Sequence, residues 1–242
     1  MTSGLFITGT DTGVGKTHVT CQLAGAMVEM GLRVGAYKPV CSGAEVSESG
    51  KLHWGDVEQI WNALGGRYPR ELICPQTFHA AVAPPVAAKM EKRSVDSSLL
   101  RAGAAAWHDK VDCLLVEGAG GWFSPIADGE TVSDLARDLR FPVVIVSANR
   151  LGMINHTLLT ILAVRQAGLP IAGIVENCVQ SAMDESAATN IGLLQELTDV
   201  PVFGPWPWFP PTDLLPPHGF ATMRQATVDG LFSGVTLPKH TR

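Results

Sequence analysis

Gly9-Thr10-Asp11-Thr12-Gly13-Val14-Gly15-Lys16-Thr17 is the stretch on which the fold of this sequence turns. It follows a short apolar run, Leu5-Phe6-Ile7-Thr8, that reads as a buried strand. It precedes residues 16–30, where Val19, Leu23, Met27 and Met30 recur at helical spacing and Gly31 supplies a stop. A glycine-rich turn between a strand and a helix is the setting of a phosphate-binding loop. Small residues let backbone N–H groups turn inward around phosphate oxygens. The helix adds the positive end of its dipole. Lys16 can then reach the terminal phosphates, and the Thr17 hydroxyl can ligate Mg2+. The spacing is a variant one: counted back from Gly15, the usual first glycine falls at Thr10, and the glycine stands at Gly9. The plainer alternative is a strand-to-helix turn with a solvated lysine.

The same rhythm repeats outward from this loop. Residues 33–40, 111–116, 142–147 and 171–175 are β-rich runs, with 202–203 a last short one. Residues 98–110, 132–139, 153–167 and 185–197 read as helices between them. The runs at 142–147 and 171–175 are almost continuously apolar, as strands covered on both faces are. This alternation predicts an α/β fold, a P-loop NTPase-type parallel sheet with helices on both faces. No repeat and no linker divides the chain. The expectation is one domain over 1–242 with an irregular C-terminal extension from about 205 to 242, rich in proline and tryptophan. Residues 77–89, with Pro84-Pro85, read as an irregular loop over the sheet edge.

Composition narrows the partners. The chain has 242 residues, 46% of them hydrophobic and 17% charged, which excludes a disordered chain. Lys and Arg number 18 against 23 Asp and Glu, a formal charge of −5. That balance argues against nucleic acid or an anionic membrane surface as the main partner. Five widely spaced cysteines without a CxxC pair suggest neither a disulfide framework nor a zinc site, and point to a reducing compartment. The N-terminus lacks the basic start and long apolar stretch of a signal peptide. No segment approaches the ~20 apolar residues of a membrane span. The expectation is a soluble cytoplasmic protein.

Two further stretches could meet the loop, and a third reads as a helix start. Asp112-Cys113-Leu114-Leu115-Val116-Glu117 is an apolar strand that ends in a carboxylate and continues into Gly118-Ala119-Gly120-Gly121. Ligands of open α/β sheets lie beyond the carboxyl ends of the strands, so Glu117 would stand near the loop and help hold Mg2+. The glycine run would leave amides free for an anion. Alone, Glu117 is an ordinary strand end. Lys38, in Tyr37-Lys38-Pro39-Val40, closes the second strand and could reach the same crevice, although alone it reads as a solvated lysine. Asp56 precedes Val57, Ile60, Trp61 and Leu64 at helical spacing, and from spacing alone it reads as a helix N-cap.

Taken together these residues resemble the dethiobiotin synthetase family. The similarity runs from about Leu5 to Trp208 and rests on several separate motifs: Gly9 to Thr12, Val14 to Thr17, Lys38-Pro39-Val40 with Ser42-Gly43, and Val116 to Trp122. Leu151-Gly152 with Ile154-Asn155-His156, and Asn177, extend it. The resemblance implies ATP-dependent conversion of 7,8-diaminononanoate and CO2 to dethiobiotin, through a carbamate and a carbamic–phosphoric anhydride. It implies Lys16, Lys38 and Ser42 as catalytic residues, and Thr17, Asp56 and Glu117 as Mg2+ ligands. The nucleotide site it implies comprises Gly13, Val14, Gly15, Lys16, Thr17, His18, Asp56, Glu117, Asn177 and Pro207. The substrate site comprises Thr12, Lys38, Ser42, Gly120, Gly152 and Asn155. Gly152 to Asn155 would bind the substrate carboxylate from a neighbouring subunit, so a homodimer is implied; by residues alone this is a simple helix start. Two departures stand out: the helix near Thr189 lacks the family's substrate-contacting tyrosine, and position 13, often acidic in the family, is glycine.

Two other functions compete. A P-loop switch ATPase of the partitioning type usually carries an extra lysine early in the loop, where this chain has Gly9-Thr10-Asp11. It also needs a membrane-targeting tail, and this tail holds Pro210, Pro211, Pro216 and Pro217. A glutamine-dependent amidoligase would need a nucleophilic cysteine with a histidine and an acid in an added domain.

Overall fold

The computed structural model describes residues 3–47, 50–182, 184–209 and 219–233. Its centre is a six-stranded sheet in the order Val202–Trp206, Ile171–Asn177, Val143–Ala148, Ser3–Gly9, Cys113–Gly121, Val34–Tyr37. Every neighbouring pair is parallel. All six residues of Val143–Ala148 are buried, which is why that run carries no polar alternation.

Helices cover both faces. A Cβ placed on Gly173 would meet Leu231 of helix Phe220–Leu231, so odd positions of its strand face that helix. Glu176 is the register partner of Ser147, whose hydroxyl accepts a bond from Thr157 of helix Met153–Gln166. Even positions therefore face the opposite layer. The Ser3–Gly9 strand lies in the interior of the sheet and delivers the glycine-rich turn to the carboxyl edge. Helix Lys16–Glu29 leaves that turn after Gly15, whose φ of 88° is the left-handed region that glycine enters without strain.

Several sequence expectations need correction. The second strand is Val34–Tyr37 rather than 33–40: the Lys38 N–H is given to the Ile73 carbonyl and Pro39 has none to give. The strand read as 111–116 is Cys113–Gly121, so Glu117 lies inside it. The helix expected at 98–110 is Ser97–Ala105, capped by Asp96, whose carboxylate accepts from Ser98 and Leu99. The helix expected at 185–197 is split into a 3-10 turn, Glu185–Ala188, and Asn190–Leu197. Residues 77–89 are not an irregular loop: they hold strand Thr77–Phe78 and the start of helix Pro84–Met90. Pro84 and Pro85 occupy the first helical turn, where a missing N–H costs nothing.

The tail is not irregular throughout. Val202–Trp206 runs into it, and helix Phe220–Leu231 packs on helix Lys16–Glu29 and on the sheet edge. Phe220, Val228 and Leu231 are buried there, and the indole N–H of buried Trp206 donates to Thr227 Oγ1 at 3.4 Å. Pro210, Pro211, Pro216 and Pro217 lie outside the described residues.

Candidate active site

The phosphate loop is braced from within. The Asp11 carboxylate accepts the Thr12 N–H at 2.6 Å, and Lys16 folds back so that Nζ donates to the Asp11 carbonyl at 3.0 Å. Asn177, at the end of its strand, donates Nδ2 to the Val14 carbonyl at 3.0 Å. A side chain on Gly15 would fall on that amide. Burial pulls the Lys16 ammonium down to about 8, against the opposing pull of Glu117. Its charge is thus held at some cost, in a position to be stabilised by a phosphate.

Behind the loop lies a compact charged cluster. Glu117 is fully buried, and its Oε1 accepts from Thr17 Oγ1 at 2.7 Å and from Lys38 Nζ at 2.7 Å. Lys38 also donates to Asp56. Burial disfavours the Lys38 charge, but Glu117 and Asp56 more than offset this and hold it well above its ordinary value. Burial likewise pushes Asp56 up, and the Lys38 charge and hydrogen bond bring it below the usual carboxylate range. Asp56 is not an N-cap. Its helix, Gly55–Ala63, begins one residue earlier after Trp54, and the Asp56 carboxylate turns to Lys38 instead.

The oxygen donors suit Mg2+. Thr17, Asp56 and Glu117 present only hydroxyl and carboxylate oxygens, and Glu117 Oε2 is buried without a hydrogen-bond partner. A buried carboxylate oxygen left unpaired is costly unless a cation completes it. Among the described residues no cluster of three His, Cys, Asp or Glu groups could hold a metal alone. Phosphate and water would have to supply further ligands, as Mg2+ prefers.

A cavity of about 700 Å3 is lined by Thr10, Asp11, Trp122 and His156 among others, and two more flank the loop. One, of about 200 Å3, is lined by Gly13, Gly15, His18, Asn177, Trp208 and Phe209 among others. The His18 ring meets Phe209 edge-on at 4.9 Å between centroids, and burial lowers its pKa, so the wall is neutral and aromatic. Pro207 immediately precedes this wall. The other cavity, of about 440 Å3, brings together Thr12, Ser42 and Gly120 with the apolar Val82 and Pro84. Ser42 donates its hydroxyl to the Val82 carbonyl at 2.6 Å.

Some expected site residues are not brought in. Gly152 and Asn155 are exposed at the start of helix Met153–Gln166 and line none of these cavities. Of the amides at 118–121, the Gly121 N–H is taken, donating to Ser124 Oγ at 2.8 Å, while the register with strand Ser3–Gly9 passes from Glu117 directly to Gly121. Ser124 is absent from the sequence expectations, although a serine three residues after a glycine is a recognisable turn former. Val82 acts through its carbonyl, for which no side-chain signal exists. Phe209 is masked in the sequence by its proline-rich context.

Comparison with known proteins matches these features to one group. Residues 3–214 match a family described as AAA domain. The ATP-dependent dethiobiotin synthetase of Rhodopirellula baltica is 40% identical over 212 residues, spanning 84% of this chain and 83% of that one. That of Anaeromyxobacter dehalogenans is 42% identical over 207 residues, spanning 86% and 91%. Solved structures share the fold at low identity. Cobyrinic acid a,c-diamide synthase from Mycobacterium smegmatis with bound ADP and magnesium has a TM-score of 0.51 at 16% identity, with all of both chains covered. Chloroplast FtsY from Physcomitrella patens has a TM-score of 0.50 at 16% identity, covering 96% of this chain and 65% of that one. Identity of this level over most of both sequences favours the synthetase over a partitioning ATPase, and this chain belongs to the ATP-dependent dethiobiotin synthetase family.

Proposed function

We propose that this protein makes dethiobiotin from 7,8-diaminononanoate, CO2 and ATP. One amine of the substrate adds to CO2 and loses a proton, giving a carbamate. A carbamate oxygen attacks the γ-phosphorus and ADP leaves, giving a mixed anhydride. The second amine attacks the carbonyl carbon, phosphate leaves, and the cyclic urea closes.

The observation that carries this reading is the Lys38–Glu117–Thr17 cluster beside the phosphate loop, with Asp56 on the same lysine. The reaction joins two anions, so its main demand is positive charge held in place. Lys16 leaves the Asp11 carbonyl to neutralise the transferred phosphoryl group. Lys38, buried and fixed by two carboxylates, stabilises the carbamate. Ser42 and Thr12 border the cavity that would take the diamine, and the Ser42 hydroxyl can turn from Val82 to the phosphoryl oxygen. Thr17, Asp56 and Glu117 would hold Mg2+, which neutralises the phosphates when bound. His18 and Asn177 belong to the base side of the nucleotide, with Trp208 and Phe209 as its apolar wall and Pro207 next to them in sequence.

The acid end of the substrate is assigned to the turn at 152–155 of a second copy. The Ile154 and Asn155 N–H groups open a 14-residue helix with no acidic side chain in its first turn, which suits a carboxylate. The functional unit is then a homodimer of single P-loop α/β domains. A cytoplasmic setting fits the five free cysteines, and among the described residues no helix is long and apolar enough to cross a membrane.

The test is mass spectrometry of the product after incubation with the diamino acid, bicarbonate, Mg2+ and ATP. Dethiobiotin should form, with phosphate release that requires both the diamino acid and bicarbonate. Phosphate release with neither present would favour the switch ATPase instead.

A further inference from the structure

Three buried asparagines form a hydrogen-bonded line behind the site. Asn177 donates its side-chain amide to the Val14 carbonyl of the phosphate loop at 3.0 Å. The Asn177 carbonyl accepts the Asn149 backbone N–H at 2.8 Å. Asn149 Oδ1 accepts from Asn190 Nδ2 at 2.8 Å, and Asn149 Nδ2 donates to the Ala187 carbonyl at 3.2 Å. Asn190 Nδ2 also lies 3.5 Å from the Arg150 carbonyl. Nearer the surface, the Leu151 N–H donates to Asp184 Oδ2 at 2.9 Å. Asn149, Asn177 and Asn190 are 4%, 3% and 4% exposed.

Buried amides are a costly way to fill a core, and leucine at 149 or 190 would bury more favourably. What a paired amide adds is a fixed geometry between elements. Here the elements joined are the phosphate loop, the strand ends at Ala148 and Asn177, and the segment 184–190. The line ends on Arg150 and Leu151, immediately before the helix start that presents the Ile154 and Asn155 N–H groups. None of these contacts touches the phosphate-binding atoms of Lys16 or the charged cluster at Lys38.

We propose that Asn149, Asn190 and Asp184 are positioning residues that hold the 150–155 turn against the strand ends of its own chain, and so set how that turn meets the acid end of the substrate in the neighbouring copy's site. This rests on the reading of that turn as the carboxylate anchor. A misplaced turn weakens binding of the carboxylate without disturbing phosphoryl transfer, so the loss falls on KM rather than kcat.

Steady-state kinetics of Asn190→Ala and Asp184→Ala test this, with 7,8-diaminononanoate and with 7,8-diaminononane, which keeps both amines and lacks the carboxylate. KM for the diamino acid should rise roughly 10- to 100-fold. The kcat, the KM for ATP and the constants for the diamine should stay within about twofold of wild type. Asp184 is exposed, so its variant keeps the fold if Asn190→Ala does not. Removing a negative charge beside the turn would by itself tighten acid binding; a rise in KM for Asp184→Ala therefore reports position. An unchanged or lower KM in that variant, or equal losses with both substrates, overturns the proposal. Absence of dethiobiotin from the wild-type protein would instead overturn the functional reading beneath it.

Discussion

Lys16 and Glu176 are both buried ionisable groups, yet only one has work to do in the proposed reaction. Lys16 is 7% exposed and its pKa is pulled to about 8 by burial, from an ordinary 10.5. An unfolded chain binds its proton more tightly, so the group adds to stability only as pH rises from about 8 toward 10.5. Lys16→Gln should abolish phosphate release while leaving the thermal midpoint at pH 7 unchanged or raised; full activity would refute the assigned role. Glu176 is fully buried, both its carboxylate oxygens lack partners, and burial pushes it up to about 7. Here the folded state holds the proton more tightly. The stability this confers is complete below about 4.5 and is lost as pH rises through about 7. Glu176→Gln should therefore match wild type near pH 4 in urea unfolding and exceed it by about 1–3 kcal/mol at pH 8. A difference that does not change with pH would exclude this account.

The elements that sequence periodicity exposes best are those with apolar residues on a full face, such as Val143–Ala148 and Val132–Leu139. The helix Phe220–Leu231 escapes that reading for a physical reason. Its buried positions Phe220, Thr227, Val228 and Leu231 keep helical spacing, but a threonine weakens the pattern and prolines precede it. Its burial is nonetheless substantial, since Phe220 packs edge-on against Trp206 and Phe209, both at 5.4 Å between centroids. Phe220→Ala should cost about 3–5 kcal/mol, read from chemical denaturation. A loss below ~1 kcal/mol would mean that the helix is not part of the cooperative unit. Helix Pro84–Met90 escapes it too, because Pro84-Pro85 suits a chain break as well as a first helical turn. Buried Ala87 and Ala88 in the next turn settle the matter in favour of a helix.

At the scale of the molecule, the proposed function has one chain offer its phosphate loop and its 152–155 turn to different sites. Exposed Leu151, Leu159 and Leu162 flank or lie beyond that turn, and Phe123 is also exposed. If the turn serves a neighbouring copy, Lys16→Gln and Asn155→Pro, which removes one of the two N–H groups from the first helical turn, damage different halves of each site. Mixing the two inactive proteins in equal amounts, with subunit exchange, puts half of the dimers in a mixed state with one intact site. Activity should recover to about a quarter of wild type. No recovery after exchange verified by mass spectrometry would place both residues in a site made by one chain.

Local sequence was enough to settle the phosphate loop, the alternation of strands and helices and the parallel sheet, because each depends on spacing within a few residues. Strand ends of an α/β sheet converge on one edge, which put Glu117 and Lys38 within reach of Lys16 and Thr17, although Lys38 by itself reads as a solvated lysine. Only the tertiary structure decided what Asp56 does: an N-cap and an ion-pair partner look alike in sequence, and the difference lies in Lys38 arriving from another strand. The same holds for Asn149 and Asn190, 41 residues apart, whose pairing exists only once helix and strand are packed. Periodicity records which face of an element is buried, whereas the partner of a buried polar atom depends on where the rest of the chain returns.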